Sequence, residues 1–427
     1  MRSDLPSSRR NSSWQRTLWV MVASQLVTQT AFTLGLPFLP LYIQQLGVKD
    51  PQTAALWAGA SATASGLAMA FMAPVWGRLA DRFGAKAMVL RATFSAVVVV
   101  GAMGLVGGPS ALLALRFLQG LLTGTVSASN TLVASTIPEK RLGSGMGLMQ
   151  TAVYVGAAGG PLLGGFIADA LGYRVPFAVT AALLLISALL ILFLAHERRP
   201  DKAQPGGEAK PPVGAARVAG PRTQTRLIWA ALAPVVVVSF LDQLANSVVG
   251  PVLPLVISEL SGPGNTGLAT ATGAILGSVA ISASVGALIA GRLSDRFPAR
   301  TVLAACSGGA ALFAALQGLA DSVLTLGALR VVMGLFIGGT IPAANAILGT
   351  LVRREDRGVA FGLTASAASF GFAGGPLMGA LLVHVNIRAP FFLTGLLLAL
   401  ECLWVLRVLR VTPEGGPPGE PTESAGL

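Results

Sequence analysis

The phrase Gly77-Arg78-Leu79-Ala80-Asp81-Arg82-Phe83 returns as Gly291-Arg292-Leu293-Ser294-Asp295-Arg296-Phe297, 214 positions later in a chain of 427 residues. Other residues keep that offset: Pro37 and Pro251, Pro40 and Pro254, Gln29 and Gln243, Arg116 and Arg330, Gly120 and Gly334, Arg174 and Arg388. A chain written twice in the same order folds into two like halves. In a bilayer, two parallel halves pack about a pseudo-two-fold axis along the membrane normal, and the cleft between them is a ready-made path.

The bilayer follows from composition. Hydrophobic residues make up 53% of the chain and charged residues only 11%, where a soluble domain carries about 25% charged residues. Apolar stretches long enough to cross the hydrocarbon core recur over 17–46, 53–79, 87–107, 109–135, 141–170, 174–196, 227–258, 266–291, 301–320, 322–351, 357–384 and 388–410. The expected fold is an all-α membrane protein with twelve transmembrane helices, spans 1 to 12, six in each half. Residues 1–196 form the first bundle and 227–410 the second. The Pro-, Gly- and Lys/Arg-rich stretch 197–226 reads as a cytoplasmic linker, and 411–427 as a disordered cytoplasmic tail.

The net charge of +12 invites a nucleic-acid reading, but its distribution opposes one. With twelve spans and a cytoplasmic N-terminus, the inner segments hold Arg78, Arg82, Lys86, Lys140, Arg198, Arg199, Arg292, Arg296, Arg300, Arg353 and Arg354 among others, and the outer loops only Lys49, Arg174 and Arg388. That bias sets orientation by the positive-inside rule. Both termini are expected in the cytoplasm, with the lipid bilayer as partner and no nucleic acid. A monomer is expected.

Several chemistries are excluded. Cys306 and Cys402 with His196 and His384 give no metal-ligand spacing, and the two thiols read as packing residues. No nucleophile–base pair stands out, and no Gly-x-x-x-x-Gly-Lys-Ser/Thr phosphate loop occurs. The chain reads as a non-enzyme without cofactors, and any transport has to run on a gradient.

The doubled phrase sits at the basic ends of spans 2 and 8, and its first copy extends to Gly84 and Lys86. Gly77 allows close helix approach and Gly84 a sharp turn. Asp81 suits the positive end of a helix in the other half, with Arg82 beside it. Gly291, Asp295, Arg296 and Arg300 repeat the set. Such clusters would latch one side shut; the plainer reading is a loop that only sets topology. The pattern resembles the signature loop of the major facilitator superfamily, over all twelve spans. Membership implies the major facilitator fold, two pseudo-symmetric six-helix bundles, and alternating access. The copies depart at Ala85, where a basic residue is usual, and at Pro298, where glycine is usual.

Three further strings refine the resemblance. Span 4 carries Leu112-x-x-x-Arg116-x-x-Gln119-Gly120, similar to a motif of proton-coupled members. An arginine inside a span costs about 2.5–3.5 kcal/mol on insertion scales, so Arg116 either faces a cavity or partner or snorkels outward. Span 5 carries Gly156-x-x-x-Gly160-Pro161-x-x-Gly164-Gly165, which resembles the antiporter signature of drug exporters. Its glycines form a small ridge and Pro161 bends the helix. Gly375 and Pro376 lie in a near copy in span 11. The span-1 string from Leu36 to Gly47 is similar to the MdtG-like branch of bacterial multidrug exporters.

Asp242 in span 7 is the acid most clearly inside the membrane, a functional candidate by default. It is expected, with Arg116, to couple protons; the alternative is a structural Asp bonded to a helix or an arginine. Drug exporters of this kind often carry an acid in span 1, where this chain has Gln25 and Gln29. Glu401 in span 12 is a rival expected nearer the cytoplasmic side or the lipid interface. Gln25, Gln29, Phe32, Asn130, Gln150, Tyr154, Gln243, Asn246, Asn345 and Phe370 are candidates to line a large, mostly apolar cavity, each equally a candidate for interhelical packing. The resemblance implies efflux of small hydrophobic or amphipathic drug-like compounds in exchange for protons, across a bacterial inner membrane. An exporter of a small metabolite or sugar, or a non-transporting sensor on this scaffold, are the alternatives.

Overall fold

A computed structural model describes residues 7–124, 129, 132–133, 136, 142–195, 222–262, 267–294, 296–351 and 357–409. Most of the segments read as linker and tail lie outside these residues. Among the described residues all regular structure is helical, and eleven helices are long and apolar enough to cross a membrane, with the shorter Pro109–Leu122 opening span 4. Span 1 is Ser7–Gly35 and Leu39–Gln45, joined by a 3-10 turn; span 2 is Pro51–Phe83, span 3 Ala85–Met103, span 5 Leu142–Leu171 and span 6 Val175–Leu194. Span 7 is Arg222–Val248 and Leu253–Ser261, span 8 Leu268–Ser294, span 9 Ala299–Gln317, span 10 Val323–Leu351, span 11 Arg357–Leu382 and span 12 Ala389–Val408.

The duplicated residues explain the shared irregularities. Pro37 and Pro40 break span 1 near its end, and Pro251 and Pro254 break span 7 at the same place. Proline removes a backbone donor and clashes with the preceding turn, so it ends one helix and opens the next at an N-terminal position. Spans 2 and 3 are divided by Gly84 alone, whose φ of +94° is strained for any residue with a Cβ. The basic residues gather at that end of the bundle, called the basic end; the loops at 46–50 and 172–174 mark the far end.

Each half has its own apolar core. One cluster in the first half centres on Tyr42, Val99, Met103 and Phe177, and one in the second on Val248, Val252, Leu326 and Phe391. Internal hydrogen bonds repeat with the sequence offset: Thr180 donates to the Ala31 carbonyl at 3.0 Å, and Thr394 to the Ala245 carbonyl at 3.3 Å.

The halves meet through span 5 on span 8 and span 2 on span 11. Each contact seats a proline carbonyl on a glycine of the other half: Pro161 on Gly273 and Pro376 on Gly59. Gly59 and Gly273 are themselves 214 residues apart, so the interface obeys the pseudo-two-fold. Beside it Thr63 donates to the Ala373 carbonyl at 2.5 Å. The matched residues Leu41 and Leu255 share one cluster with Ala55 and Ala380. Among the described residues these contacts run from the far end to about mid-span. Lipid gives helices no hydrophobic reason to associate, so small residues, close van der Waals packing and hydrogen bonds have to hold such a seam.

Candidate functional site

Span 5 uses its glycine string on two faces. Gly156, Gly160 and Gly164 lie directly against span 1, at Gln29, Thr30, Thr33 and Leu34. Pro161 and Gly165 lie on the opposite side against Gly273 and Ala269 of span 8. Span 11 does the same: Gly371, Gly375 and Gly379 seat on span 7, while Pro376 reaches span 2. One ridge closes each half internally, and the other closes one half on its mate.

A pocket of about 240 Å³ opens between spans 7, 10 and 11. Asp242, Gln243, Ser239, Thr340, Asn345 and Thr364 provide its polar groups, among Val, Ile and Ala side chains. Asp242 is 3% exposed. Its Oδ1 accepts the Thr340 hydroxyl at 2.8 Å and its Oδ2 the Asn246 amide at 3.4 Å. Burying an ion costs several kcal/mol unless hydrogen bonds replace its water. Two neutral donors meet that need only partly.

The expected site residues do not all converge. Gln243 and Asn345 share the pocket with Asp242, and Asn246 touches its carboxylate. Gln25 is buried on span 1 with its amide nitrogen unpartnered. Gln29 packs against Gly156. Phe32 joins the first-half core cluster, and Gln150 and Tyr154 are exposed. Phe370 meets Phe71 of the other half edge-on at 6.5 Å. Asn130 lies outside the described residues.

Arg116 and Arg330 are both buried. Arg116 donates to Gln119 on its own helix, and Arg330 to Gln317 of span 9 at 2.9 Å, each leaving its Nε without a partner. Neither snorkels to an end of its span. At the basic end Gly77 and Asp81 lie in the last turns of span 2, with their side-chain positions outside the described set, as is Asp295. Arg82 stacks on Phe83 at 5.3 Å; Arg296 is exposed, and a Cβ at Gly291 would meet no described atom of another element within 4 Å. Lys86 donates to the carbonyls of Leu192 and Ala195 at 2.9 and 2.7 Å, and Arg300 to those of Val405 and Leu406. These two cations therefore cap spans 6 and 12 within their own halves.

Glu401 lies nearer the basic end of span 12 than the far end, and away from lipid. It has no exposed surface and sits against Ser307, whose hydroxyl donates to Oε1 at 2.7 Å, so of the two expected settings the lipid interface is excluded. Thr340 and Ser307 were not singled out by sequence, because a hydroxyl within a span is unremarked until its partner is known. Cys306 and Cys402 are free thiols.

The Major Facilitator Superfamily model matches residues 21–240 and 235–426. The multidrug resistance protein MdtG of Proteus mirabilis is 32% identical over 386 residues, covering 90% of this chain and 94% of that one. The multi-drug resistance efflux pump PmrA of Streptococcus pneumoniae is 29% identical, covering 93% and 97%. Among solved structures, a D-xylose–proton symporter superposes with a TM-score of 0.72 at 15% identity, covering 92% and 98% of the two chains, and shows the same fold.

Proposed function

The chain belongs to the major facilitator superfamily, and on that premise we propose that it exports hydrophobic and amphipathic compounds in exchange for protons, by alternating access. The observation that carries the reading is the pocket built on Asp242: one ionisable group, buried, with neutral donors, among apolar walls. Such a pocket holds an amphipathic molecule by contact area and leaves a proton as the competing occupant. The names of the relatives support the substrate class, and the span-5 string supports export over uptake.

The positive-inside bias puts the basic end in the cytoplasm of a bacterial inner membrane. The structure then corresponds to a state closed outside, with the Asp242 pocket on the cytoplasmic side of the seam. Substrate enters there as Asp242 gives up its proton. The seam at Gly59 and Gly273 parts, the basic end closes, and Asp242 is reloaded from outside. Asp81 and Asp295 latch the basic end in that second state. In the first, Lys86 and Arg300 rest on their own halves. A proton moving down a membrane potential of ~150 mV supplies about 3.5 kcal/mol, enough to offset the burial of one carboxylate. Arg116 supports coupling from the first half.

Ethidium efflux from everted vesicles tests the reading. Wild-type efflux should collapse with a protonophore, and Asp242→Asn should abolish it at unchanged protein level. Protonophore-resistant efflux would refute proton exchange, and pH-dependent efflux by Asp242→Asn would remove Asp242 from it.

A further inference from the structure

The two halves place different chemistry at one matched position. In the first, Thr28 of span 1 and Ser187 of span 6 join hydroxyl to hydroxyl at 2.8 Å, with Ser24 at 2.6 Å from Ser187. Moving 214 positions along the chain turns Thr28 into Asp242 and Ser187 into Glu401. The register is the same in both halves, because the neighbouring bonds of Thr180 and Thr394 are matched. The matched register thus puts a carboxyl on each of spans 7 and 12 where the first half has a hydroxyl on each of spans 1 and 6, and spans 7 and 12 pack on each other.

The surroundings decide which carboxyl keeps a proton. Asp242 faces the pocket and has two donors. Glu401 is at 0% exposure with one donor, Ser307, and its Oε2 is buried without a partner. A buried anion with a bare oxygen beside a second anion is strongly disfavoured. No cation relieves it among the described side chains of the packed spans. On span 9 Arg300 is held by carbonyls at the basic end. On span 10 Arg330 is bonded to Gln317, ten residues from Thr340 and so roughly 15 Å away along the helix. Arg357 opens span 11 and Arg407 ends span 12. The thiols of Cys306, on span 9, and Cys402, next to Glu401 in sequence, are the other titratable groups on these packed spans.

We propose that Glu401 is a positioning acid, kept protonated on the span packed against Asp242's own, which stabilises the Asp242 anion whenever that residue has released its proton. The exchanging proton is the one on Asp242: its O–H bond breaks as the proton passes to water in the pocket, while the Glu401 O–H bond stays whole. The pair thus alternates between no charge and a single negative charge. This rests on the proton-exchange reading above.

The test combines a pH profile with direct labelling. Glu401→Leu, which cannot donate, should move the midpoint of pH-dependent ethidium efflux in everted vesicles toward alkaline pH by about one unit. Glu401→Gln, whose amide can donate, should restore the wild-type midpoint. Independently of transport, dicyclohexylcarbodiimide, which attacks protonated buried carboxyls, should modify Glu401 of the purified wild-type protein at pH 7, read by peptide mass spectrometry. An unmodified Glu401, or an unmoved midpoint in Glu401→Leu, overturns the proposal. Protonophore-resistant efflux by the wild type would instead overturn the proton-exchange reading, and the labelling would still report whether Glu401 holds its proton.

Discussion

Asp169, at the far-end tip of span 5, accepts the backbone N–H and the hydroxyl of Thr270, each at 2.6 Å. It also accepts the Ala269 N–H at 3.2 Å. An acid of the first half thus caps the opening turn of span 8 in the second, where the free N–H groups and the helix dipole favour a negative charge.

Removing that cap should loosen the far end. Asp169→Ala forfeits about 1 kcal/mol, the usual worth of an N-cap, which is roughly a fivefold shift in a two-state equilibrium. Spin labels on the 172–174 and 383–388 loops should show a larger long-distance fraction in the variant. An unchanged distance distribution would mean that the cap does not bias the seam.

The glycines under the proline carbonyls make a matched pair of tests. A Cβ at Gly59 would stand 2.6 Å from the Pro376 oxygen, and one at Gly273 would collide with the Pro161 oxygen. Overpacking of this kind costs about 1–3 kcal/mol, so Gly59→Val and Gly273→Val should each favour the far-end-open state and slow efflux to a similar degree. Gly147→Ala on span 5, where a methyl meets nothing within 4 Å, should change neither. The measurement is maleimide access to a cysteine placed at the seam.

Lys86 and Arg300 should act on stability more than on turnover in this state. Each hydrogen bonds the last carbonyls of a helix, where a cation also meets the negative end of the dipole. Lys86→Ala and Arg300→Ala should each lose about 1 kcal/mol, seen as a lower Tm in detergent, and Lys86→Arg should recover most of it. A wild-type Tm in both alanine variants would show that the carbonyls are equally well served by water.

The far end should also weaken in acid. Asp50 caps span 2, and hydrogen bonds from the Thr53 hydroxyl and N–H, then the Gln52 N–H and the nearby His384, hold its carboxyl below the ordinary range. Its folded value is depressed, so its stabilisation is complete above the ordinary carboxylate value of about 4 and fades as pH falls through the lower one. Tm against pH should drop on that acid limb, and Asp50→Asn should flatten the drop.

The architecture was legible because duplication and hydropathy are written along the chain. The 214-residue offset gave the paired prolines, and the near copy in span 11 the second glycine string, from the sequence alone. The seam was less legible: Gly156, Gly160 and Gly164 form the ridge read from the sequence, against span 1, but nothing in the string says that Pro161 and Gly165 face span 8. Adjacent letters on a helix point about 100° apart, and only the neighbours reveal which face meets which half. For Glu401 the sequence leaves two settings open, the cytoplasmic side of its span or the lipid interface, and only its burial against Ser307 decides against lipid. The 214-residue offset matches Glu401 to Ser187, a pairing whose meaning shows only once Ser187 is seen bonded to Thr28. Asn130, Asp295 and the side chain of Asp81 stay as sequence readings.

The two faces of span 5 imply two lifetimes. Its glycine edge against span 1 can remain shut through every turnover, while its proline edge against span 8 has to separate and re-form each time. A side chain on that helix is thus either a permanent joint or a working one, depending on a single step in sequence. Amide exchange should register the difference as slow and fast stripes along one and the same helix.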